Sequence, residues 1–272
     1  MTSKTALVTG ASSGIGEATA LKLREVGYTV YGAARRLERM KELADEGVRL
    51  LTMDVTDDDS MRAGVERIVS ESGRIDVLVN NAGYGSYGAV EDVPLSEARY
   101  QFEVNVFGAA RLIQLVLPQM RSQGSGTIVN ICSMGGRIYT PLGGWYHGTK
   151  FALEALSDCL RMETKPFGID VVMIEPGSIR TEWGGIAADN LRRVSGAGPY
   201  ARQAQGMAES MDSERSSPPS VVADAVAKAV TARRPRSRYV VGFAARPLIT
   251  LRRLLPDRAF DAVIKRATGV RT

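Results

Sequence analysis

Thr5-Ala6-Leu7-Val8-Thr9-Gly10-Ala11-Ser12-Ser13-Gly14-Ile15-Gly16 is the stretch on which the fold turns. Lys4 to Thr9 reads as a short buried strand. Glu17, Ala18, Ala20, Leu21 and Leu23 continue beyond the glycines with the spacing of a helix. A strand, a glycine loop and a helix N-terminus form a phosphate cradle. The glycines permit a tight turn and close backbone approach, and the first helical N–H groups and the positive end of the helix dipole face an anion. The spacing is Gly-x-x-x-Gly-x-Gly rather than the commoner Gly-x-Gly-x-x-Gly, so a plain structural turn is the alternative reading.

Strands then alternate with helices along the chain. Tyr28 to Ala34 is a second strand, with Arg35 and Arg36 following at once. In dinucleotide folds an acid about 20 residues after the glycines receives the ribose 2′-hydroxyl, whereas arginine suits a 2′-phosphate. Ala34 holds that position here, and a guanidinium binds phosphate through paired donors, so NADP(H) is expected, with NAD(H) as the alternative. Val48 to Met53 is a third strand ending at Asp54-Val55. The Asp54 carboxylate either accepts from an adenine amino group or caps the helix that starts near Asp57. Ile75 to Val79 is a fourth strand, closed by Asn80-Asn81-Ala82-Gly83, small and amide side chains that let backbone approach a ligand. Ser96 to Met120 reads as one long helix carrying Asn105, a poor interior helix residue, in its middle; a functional amide and a buried structural amide are both open. Thr127 to Cys132 is a fifth strand ending at Ser133, and Ile169 to Glu175 a sixth ending at Pro176-Gly177-Ser178-Ile179-Arg180-Thr181. The alternation predicts an α/β fold, a Rossmann-type doubly wound parallel sheet in a single domain over residues 1–245. The glycine loop, Arg35, Asp54, Asn80 to Gly83, Ser133 and Thr181 all fall just beyond strand C-termini, where such sheets bind ligands.

Tyr146 and Lys150 stand four residues apart in a run with no proline until Pro166, so one helix carries both on one side. A cation beside a phenol favours the phenolate, so Lys150 is expected to lower the pKa of Tyr146 and make it a general acid or base. An exposed pair of no consequence is the bland reading of that motif. His147 is the only histidine, which weighs against a zinc site and against a Ser-His-Asp hydrolase; it is read as a helix-surface or pocket-lining residue.

Residues 182–217 intersperse glycines with polar residues and end in a Ser, Glu and Pro-rich run, the pattern of a mobile lid, with Trp183, Ile186, Leu191 and Met207 as its apolar underside. Beyond it, Ser220 to Thr231 reads as an amphipathic helix and Tyr239 to Gly242 as a last strand. Residues 246–272 form a basic amphipathic extension. From Arg233 to Arg271 eleven Lys or Arg face two acids, a net of +9, and the remainder of the chain is left at −4. No nucleic-acid-binding motif accompanies those charges. Two readings stand for the extension: a subunit contact or lid support with solvated arginines, or peripheral contact with an anionic membrane. Hydrophobic content of 44% and charged content of 24% suit a soluble globular protein. No 18-residue apolar run or signal sequence is seen, and two cysteines build no disulfide framework, so a cytoplasmic protein is expected.

Taken in order, Thr9-Gly10-x-x-x-Gly14-Ile15-Gly16, Asn80-Asn81-Ala82-Gly83, Asn105, Ser133, Tyr146-x-x-x-Lys150 and Pro176-Gly177-x-x-x-Thr181 resemble the short-chain dehydrogenases/reductases over roughly residues 4–245. The appearance is nearest to the branch containing 17β-hydroxysteroid and retinol dehydrogenases. The resemblance implies a catalytic set of Asn105, Ser133, Tyr146 and Lys150. Tyr146 would exchange the proton of the substrate oxygen, Ser133 would hydrogen-bond that oxygen, and Lys150 would lower the phenol pKa and bind the nicotinamide ribose. Asn105 would hold the helix geometry and a proton-relaying water. It further implies cofactor contacts from Gly10, Ser12, Ser13, Gly14, Ile15, Gly16, Arg35, Asp54, Val55, Asn81, Ala82, Gly83, Tyr146, Lys150, Pro176, Gly177, Ile179 and Thr181, and no metal. The expected activity is NADP(H)-dependent interconversion of an apolar secondary alcohol and ketone, such as a steroid, retinoid or lipid, in a homodimer or homotetramer. The alternatives are reduction of a 3-oxoacyl thioester and a catalytically silent NADPH sensor.

Overall fold

In the computed structural model, residues 3–211 and 215–270 are described; residues 212–214 of the expected lid and 271–272 of the extension lie outside them. Seven parallel strands form one sheet: β1 (Thr5–Thr9), β2 (Thr29–Ala34), β3 (Arg49–Thr52), β4 (Val77–Asn80), β5 (Gly126–Ile131), β6 (Ile169–Pro176) and β7 (Arg238–Val241). Their order is β3-β2-β1-β4-β5-β6-β7. The chain runs outward from β1 in one direction, then returns to β4 and runs outward in the other. The two loops leaving β1 and β4 therefore diverge, and a crevice opens between them at the strand C-termini.

The helices are α1 (Gly14–Glu25), α2 (Lys41–Asp45), α3 (Asp58–Ser72), α4 (Leu95–Phe102), α5 (Gly108–Gln123), α6 (Gly144–Thr164), α7 (Glu182–Ser195), α8 (Ala201–Met211), α9 (Ser220–Thr231), α10 (Ala245–Leu254) and α11 (Asp257–Ala267). Successive strand residues point to opposite faces. Ala6, Val8, Val79, Val129 and Val172 meet Ala20 and Leu23 of α1 and Val222 and Val226 of α9 on one face. Leu7, Leu78, Ile128 and Val171 meet Met61 and Ile68 of α3 and Leu112 and Val116 of α5 on the other. Both faces are covered, which is why the central strands read as continuous apolar runs.

One sequence expectation changes, and two segments gain a definite structure. The long helix over 96–120 is broken: α4 and α5 are joined by one turn of π-helix, Glu103–Phe107, with Asn105 inside it. The cause is tertiary, as the bonds of Asn105 below make clear. Within the segment read as a mobile lid, residues 182–211 form a helical pair, α7 and α8. The fully buried Ala187, Ala188, Leu191, Ala204 and Ala208 pack together at its centre. Small side chains at helical spacing let the two helices approach, so its glycines do not make the segment irregular. The basic extension, finally, turns its apolar face inward. Ile249, Phe260 and Ile264 pack on Ile138, with Met134, Tyr139 and Val240 around them. Arg252 lies over the rings of Tyr139 and Phe260, 5.3 and 5.4 Å from their centroids, and pairs with Asp257 at 3.0 Å. That packing favours the support reading of the extension. No helix among the described residues is long and apolar enough to cross a membrane.

Candidate active site

At the C-terminal edge of the sheet a single cleft of about 1420 Å³ runs from the glycine loop to the extension. That exceeds the roughly 300–1,000 Å³ of a pocket for one small ligand. Its first half is the phosphate cradle. Gly10 and Gly14 take φ of +65° and +58°, which side chains disfavour. A Cβ on Gly14 would lie 2.9 Å from Thr181 Cγ2. Ser13 precedes α1 with extended backbone and makes no side-chain cap, so the first N–H groups of α1 stay available. The ends of β1 and β4 are laced together behind the loop. Asn81 donates its amide side chain to the Thr9 carbonyl at 2.9 Å, and the backbone N–H groups of Asn81 and Ala82 donate to Thr9 Oγ1 at 3.1 and 3.0 Å.

Gly10, Ser12, Ser13, Gly14, Ile15, Arg35, Asp54, Val55, Asn81, Ala82, Gly83, Ser133, Tyr146, Lys150, Pro176, Gly177, Ile179 and Thr181 all border the cleft. Two predicted residues do not. Gly16 sits beneath the loop, where a Cβ would fall 2.2 Å from the Gly10 carbonyl oxygen. At that position it allows close packing of helix on strand. Asn105 is 2% exposed and lies behind the wall. Its Oδ1 accepts from Tyr84 N–H at 2.8 Å, and its Nδ2 donates to the Tyr84 carbonyl at 2.7 Å and to Thr149 Oγ1 at 3.0 Å. These bonds tie the loop after β4 to α6. A Cβ on Gly83 would lie 3.7 Å from Asn105 Oδ1 and 3.9 Å from Lys150 Nζ, so glycine there keeps the gap between them clear. Asp54 does not cap α3: its Oδ1 accepts from Thr56 N–H and Oγ1, while Asp57 accepts from Ser60 N–H and is the cap.

The second half of the cleft holds the chemistry. Tyr146, Lys150 and Thr149 are carried by α6, and Ser133 caps the 3-10 turn Met134–Gly136 by accepting from Gly135 N–H at 2.9 Å. Tyr146 is 8% exposed, with its ring 5.4 Å from Tyr87 and 5.3 Å from Trp183 between centroids. Burial pushes its phenol up to about 12, against the hydrogen bond of Ser133, which pulls it down. The expectation that Lys150 sets the phenol low is therefore corrected. The Lys150 ammonium donates to the Ile131 carbonyl at 3.0 Å, 6.0 Å from the Tyr146 ring centroid, and removal of the phenol from water outweighs other influences. Burial also lowers Lys150 from its ordinary 10.5.

His147 is buried and borders the cleft rather than the helix surface. Thr140 N–H donates to its Nε2 at 3.0 Å, which leaves Nδ1 as the protonated nitrogen, donating to the Gly135 carbonyl at 2.9 Å. The ring thus pins the loop after Ser133 to α6, and burial holds its pKa below 6.5. Sequence reasoning missed Tyr87, Met134, Ile138 and the cleft-lining Leu248, Ile264, Ala267 and Thr268 of the extension. The i,i+4 spacing of Phe260 and Ile264 within α11 carried the signal that the extension has a buried face. It also missed the bidentate pair of Arg39 with Glu182, 2.7 and 2.9 Å, which joins the loop after β2 to the start of α7 beside the cleft.

The family model described as short chain dehydrogenase matches residues 4–190. Among curated relatives, the chain is 44% identical over 176 residues to a 3-ketodihydrosphingosine reductase of Bacteroides thetaiotaomicron, covering 64% of each chain. It is 34% identical to an NADPH-dependent 3-dehydrocapnine reductase of Ornithobacterium rhinotracheale, covering 95% of each. Among solved structures, a short-chain dehydrogenase from Streptomyces avermitilis superposes with a TM-score of 0.84 at 33% identity over 100% of both chains. An alcohol dehydrogenase from Thermococcus sibiricus complexed with 5-hydroxy-NADP superposes with a TM-score of 0.73 at 25% identity, covering 89% of this chain and 97% of the other.

Proposed function

The chain belongs to the short chain dehydrogenase family of NAD(P)-dependent oxidoreductases, and from that premise we propose that it is an NADP(H)-dependent reductase of apolar, long-chain ketones. One observation carries the reading: Tyr146 and Ser133 share a buried wall, with Lys150 one turn away, in the same cleft as the phosphate cradle and Arg35.

The residues present fit a dinucleotide. The cradle is one that a Cβ on Gly14 would fill, and the N-terminus of α1 opens onto it. Arg35 and Arg36 border the cleft at the end of β2, where a 2′-phosphate would be received, and no carboxylate stands at Ala34 to repel it. Pro176, Gly177, Ile179 and Thr181 would hold the nicotinamide end, and Lys150 the adjoining ribose hydroxyls. Bound nicotinamide supplies the hydride. The chain supplies the rest. Tyr146, neutral at ordinary pH with its phenol near 12, is in the form that gives a proton to a carbonyl oxygen as negative charge develops there. Ser133 donates a second hydrogen bond to that oxygen. Lys150 brings positive charge to the region where the phenol loses its proton. Tyr87, Trp183 and the residues of α8, α10 and α11 exclude water from the reacting groups.

The substrate class is read from the walls. Met134, Ile138, Met207, Leu248 and Ile264 line the cleft beyond Tyr146 and offer an apolar surface to a long chain. The relative named for 3-ketodihydrosphingosine supports a long-chain ketone over a compact one. Leu95, Phe107 and Phe151, exposed by 58%, 56% and 44% on α4 to α6, support a homo-oligomer assembled through that face. The deciding experiment compares NADPH with NADH oxidation over 17- and 3-ketosteroids, retinal, 3-oxoacyl thioesters and long-chain 3-ketones, with Tyr146→Phe as control. NADPH-dependent turnover of the long-chain ketones, at least about 10²-fold lower in the control while NADPH still binds, is the expected result. Turnover confined to thioesters or steroids would replace the substrate class, and full activity in the control would overturn the mechanism.

A further inference from the structure

Behind the catalytic wall lies a buried ionic cluster that the mechanism above does not use. Glu154 and Glu175 are 5% and 0% exposed. Glu154 stands on α6 four residues beyond Lys150, so the two occupy one side of the helix. Arg238, at the start of β7, reaches Glu154 Oε2 at 2.9 Å, Asp158 Oδ2 at 2.6 Å and Glu175 Oε1 at 2.9 Å. Arg137 also holds Glu175 Oε1, at 3.1 Å, and Arg161 holds the half-exposed Asp158. The second oxygen of Glu154, Oε1, is buried and, among the described residues, has no hydrogen-bond partner. The Cys132 thiol, at the end of β5, faces the same carboxylate. Gly136 closes the floor: a Cβ there would lie 2.9 Å from both Glu154 Cγ and the Lys150 carbonyl oxygen.

Lys150 needs such a neighbour. It is 7% exposed, and among the described residues it makes no ion pair; its ammonium, with three N–H donors, donates to the Ile131 carbonyl at 3.0 Å. A buried ammonium without a counter-charge tends to give up its proton. We propose that Glu154 is a positioning residue whose carboxylate, fixed by Arg238, supplies the buried counter-charge that keeps the Lys150 ammonium charged beside Tyr146. The assignment rests on the role given to Lys150 above. The other groups facing the pair are Cys132 from β5, Glu175 from β6, Arg137 after the 3-10 turn and Arg238 from β7. Burial lowers the pKa of Lys150, and the fields of Cys132 and then Glu154 oppose that effect; burial and Glu175 push Glu154 up, and Arg238 opposes them.

The test compares Glu154→Gln, which removes the charge and keeps the shape, with Glu154→Asp, which keeps the charge. Two readouts are taken against pH: kcat for carbonyl reduction, and the Kd of NADPH, which senses Lys150 through the ribose. Loss of negative charge favours the neutral amine. The alkaline limb of both curves should therefore move to lower pH in the glutamine variant, by about half a unit or more, and stay with the parent in the aspartate variant. An unmoved limb in Glu154→Gln, or an equal shift in Glu154→Asp, overturns the proposal. If the glutamine variant does not fold, Glu154→Gln combined with Arg238→Gln is compared with Arg238→Gln alone, so that the charge at 154 is the one difference and the same downward move of the limb from single to double variant is read. Failure of the functional reading is seen separately, as turnover indifferent to Tyr146→Phe; the binding curve then still decides the question of Glu154.

Discussion

Two titrating side chains and one arginine set the expected behaviour at the scale of single residues. Because burial carries the Tyr146 phenol to about 12 and lowers Lys150 from 10.5, the ammonium is the first of the two to lose its proton as pH rises. Reduction needs the phenol protonated and the lysine charged. Its kcat/KM should be level through neutral pH and fall on the alkaline side through one ionisation below 10.5, that of Lys150. A stopped-rate series from pH 6 to pH 11 checks this, and an acid-side optimum with a limb near neutrality would contradict it. Oxidation needs the phenolate and should accelerate over the same interval before the lysine is lost. On the proposed reading, Arg35 sets the preference for the cofactor. Its guanidinium borders the cleft and, among the described residues, hydrogen-bonds the Tyr100 hydroxyl alone, at 3.2 Å, a bond it can exchange for one to a phosphate. Charge-assisted hydrogen bonds contribute about 1.5–3 kcal/mol, so Arg35→Ala should weaken NADPH binding by roughly ten- to a hundredfold and leave NADH nearly unchanged. Equal loss for both dinucleotides would mean that Arg35 serves the fold.

At the scale of elements, what was legible depended on whether a feature is local. The strand–glycine–helix start, the alternation of strands and helices and the strand-end positions of Asn81, Ser133 and Thr181 follow from local periodicity and turn chemistry, and the sheet is built on them. The π-turn at Glu103–Phe107 was not legible, because nothing in its own sequence demands it. It follows from Asn105 reaching Tyr84 on one side and Thr149 on the other. Such single-turn bulges occur mostly at functional sites. Asn105→Ala would leave both backbone groups of Tyr84 buried without these partners, a cost of about 1–3 kcal/mol. The loop beside Gly83 would loosen with it, so thermal denaturation should move down while turnover falls further than the stability loss explains. Asn105→Asp keeps an acceptor for Tyr84 N–H but loses both donated bonds, and should rescue little. Gly16 makes the complementary case. It was read as a cofactor contact and lies beneath the loop; Gly16→Ala drives a methyl into the Gly10 carbonyl oxygen. Overpacking of this kind costs about 1–3 kcal/mol, and NADPH affinity should drop with the distorted cradle, as calorimetry of the folded variant would register.

Across the whole molecule, the basic extension changes meaning once its inner face is placed. An amphipathic helix reads the same in sequence whether its apolar side meets protein or lipid, so residues 246–270 could not be assigned from their pattern alone. In the fold, α10 and α11 cover Ile138 and Tyr139, and the end of the chain returns to the helical pair of the lid. Val270 is buried with Leu142, Tyr146, Leu191 and Met207, and a Cβ on Gly206 of α8 would lie 2.6 Å from the Gly269 carbonyl oxygen. The extension and the α7–α8 pair therefore border the apolar end of the cleft together, and the whole cleft, phosphate cradle included, holds about 1420 Å³, more than a single small ketone fills. Ala267 is the position at which that closure can be tested without disturbing the core, since it is exposed yet borders the cleft. Ala267→Trp would take up space at the far wall and leave Tyr146, Ser133 and the cradle as they are. Each methylene displaced from an apolar pocket is worth about 1–3 kcal/mol, so kcat/KM should fall at least about tenfold for a ketone with a chain of some sixteen carbons. A short ketone that ends before this wall should be turned over as before, with NADPH Kd unchanged. Equal loss on long and short ketones would place the alkyl chain elsewhere and leave the extension as support for the lid alone.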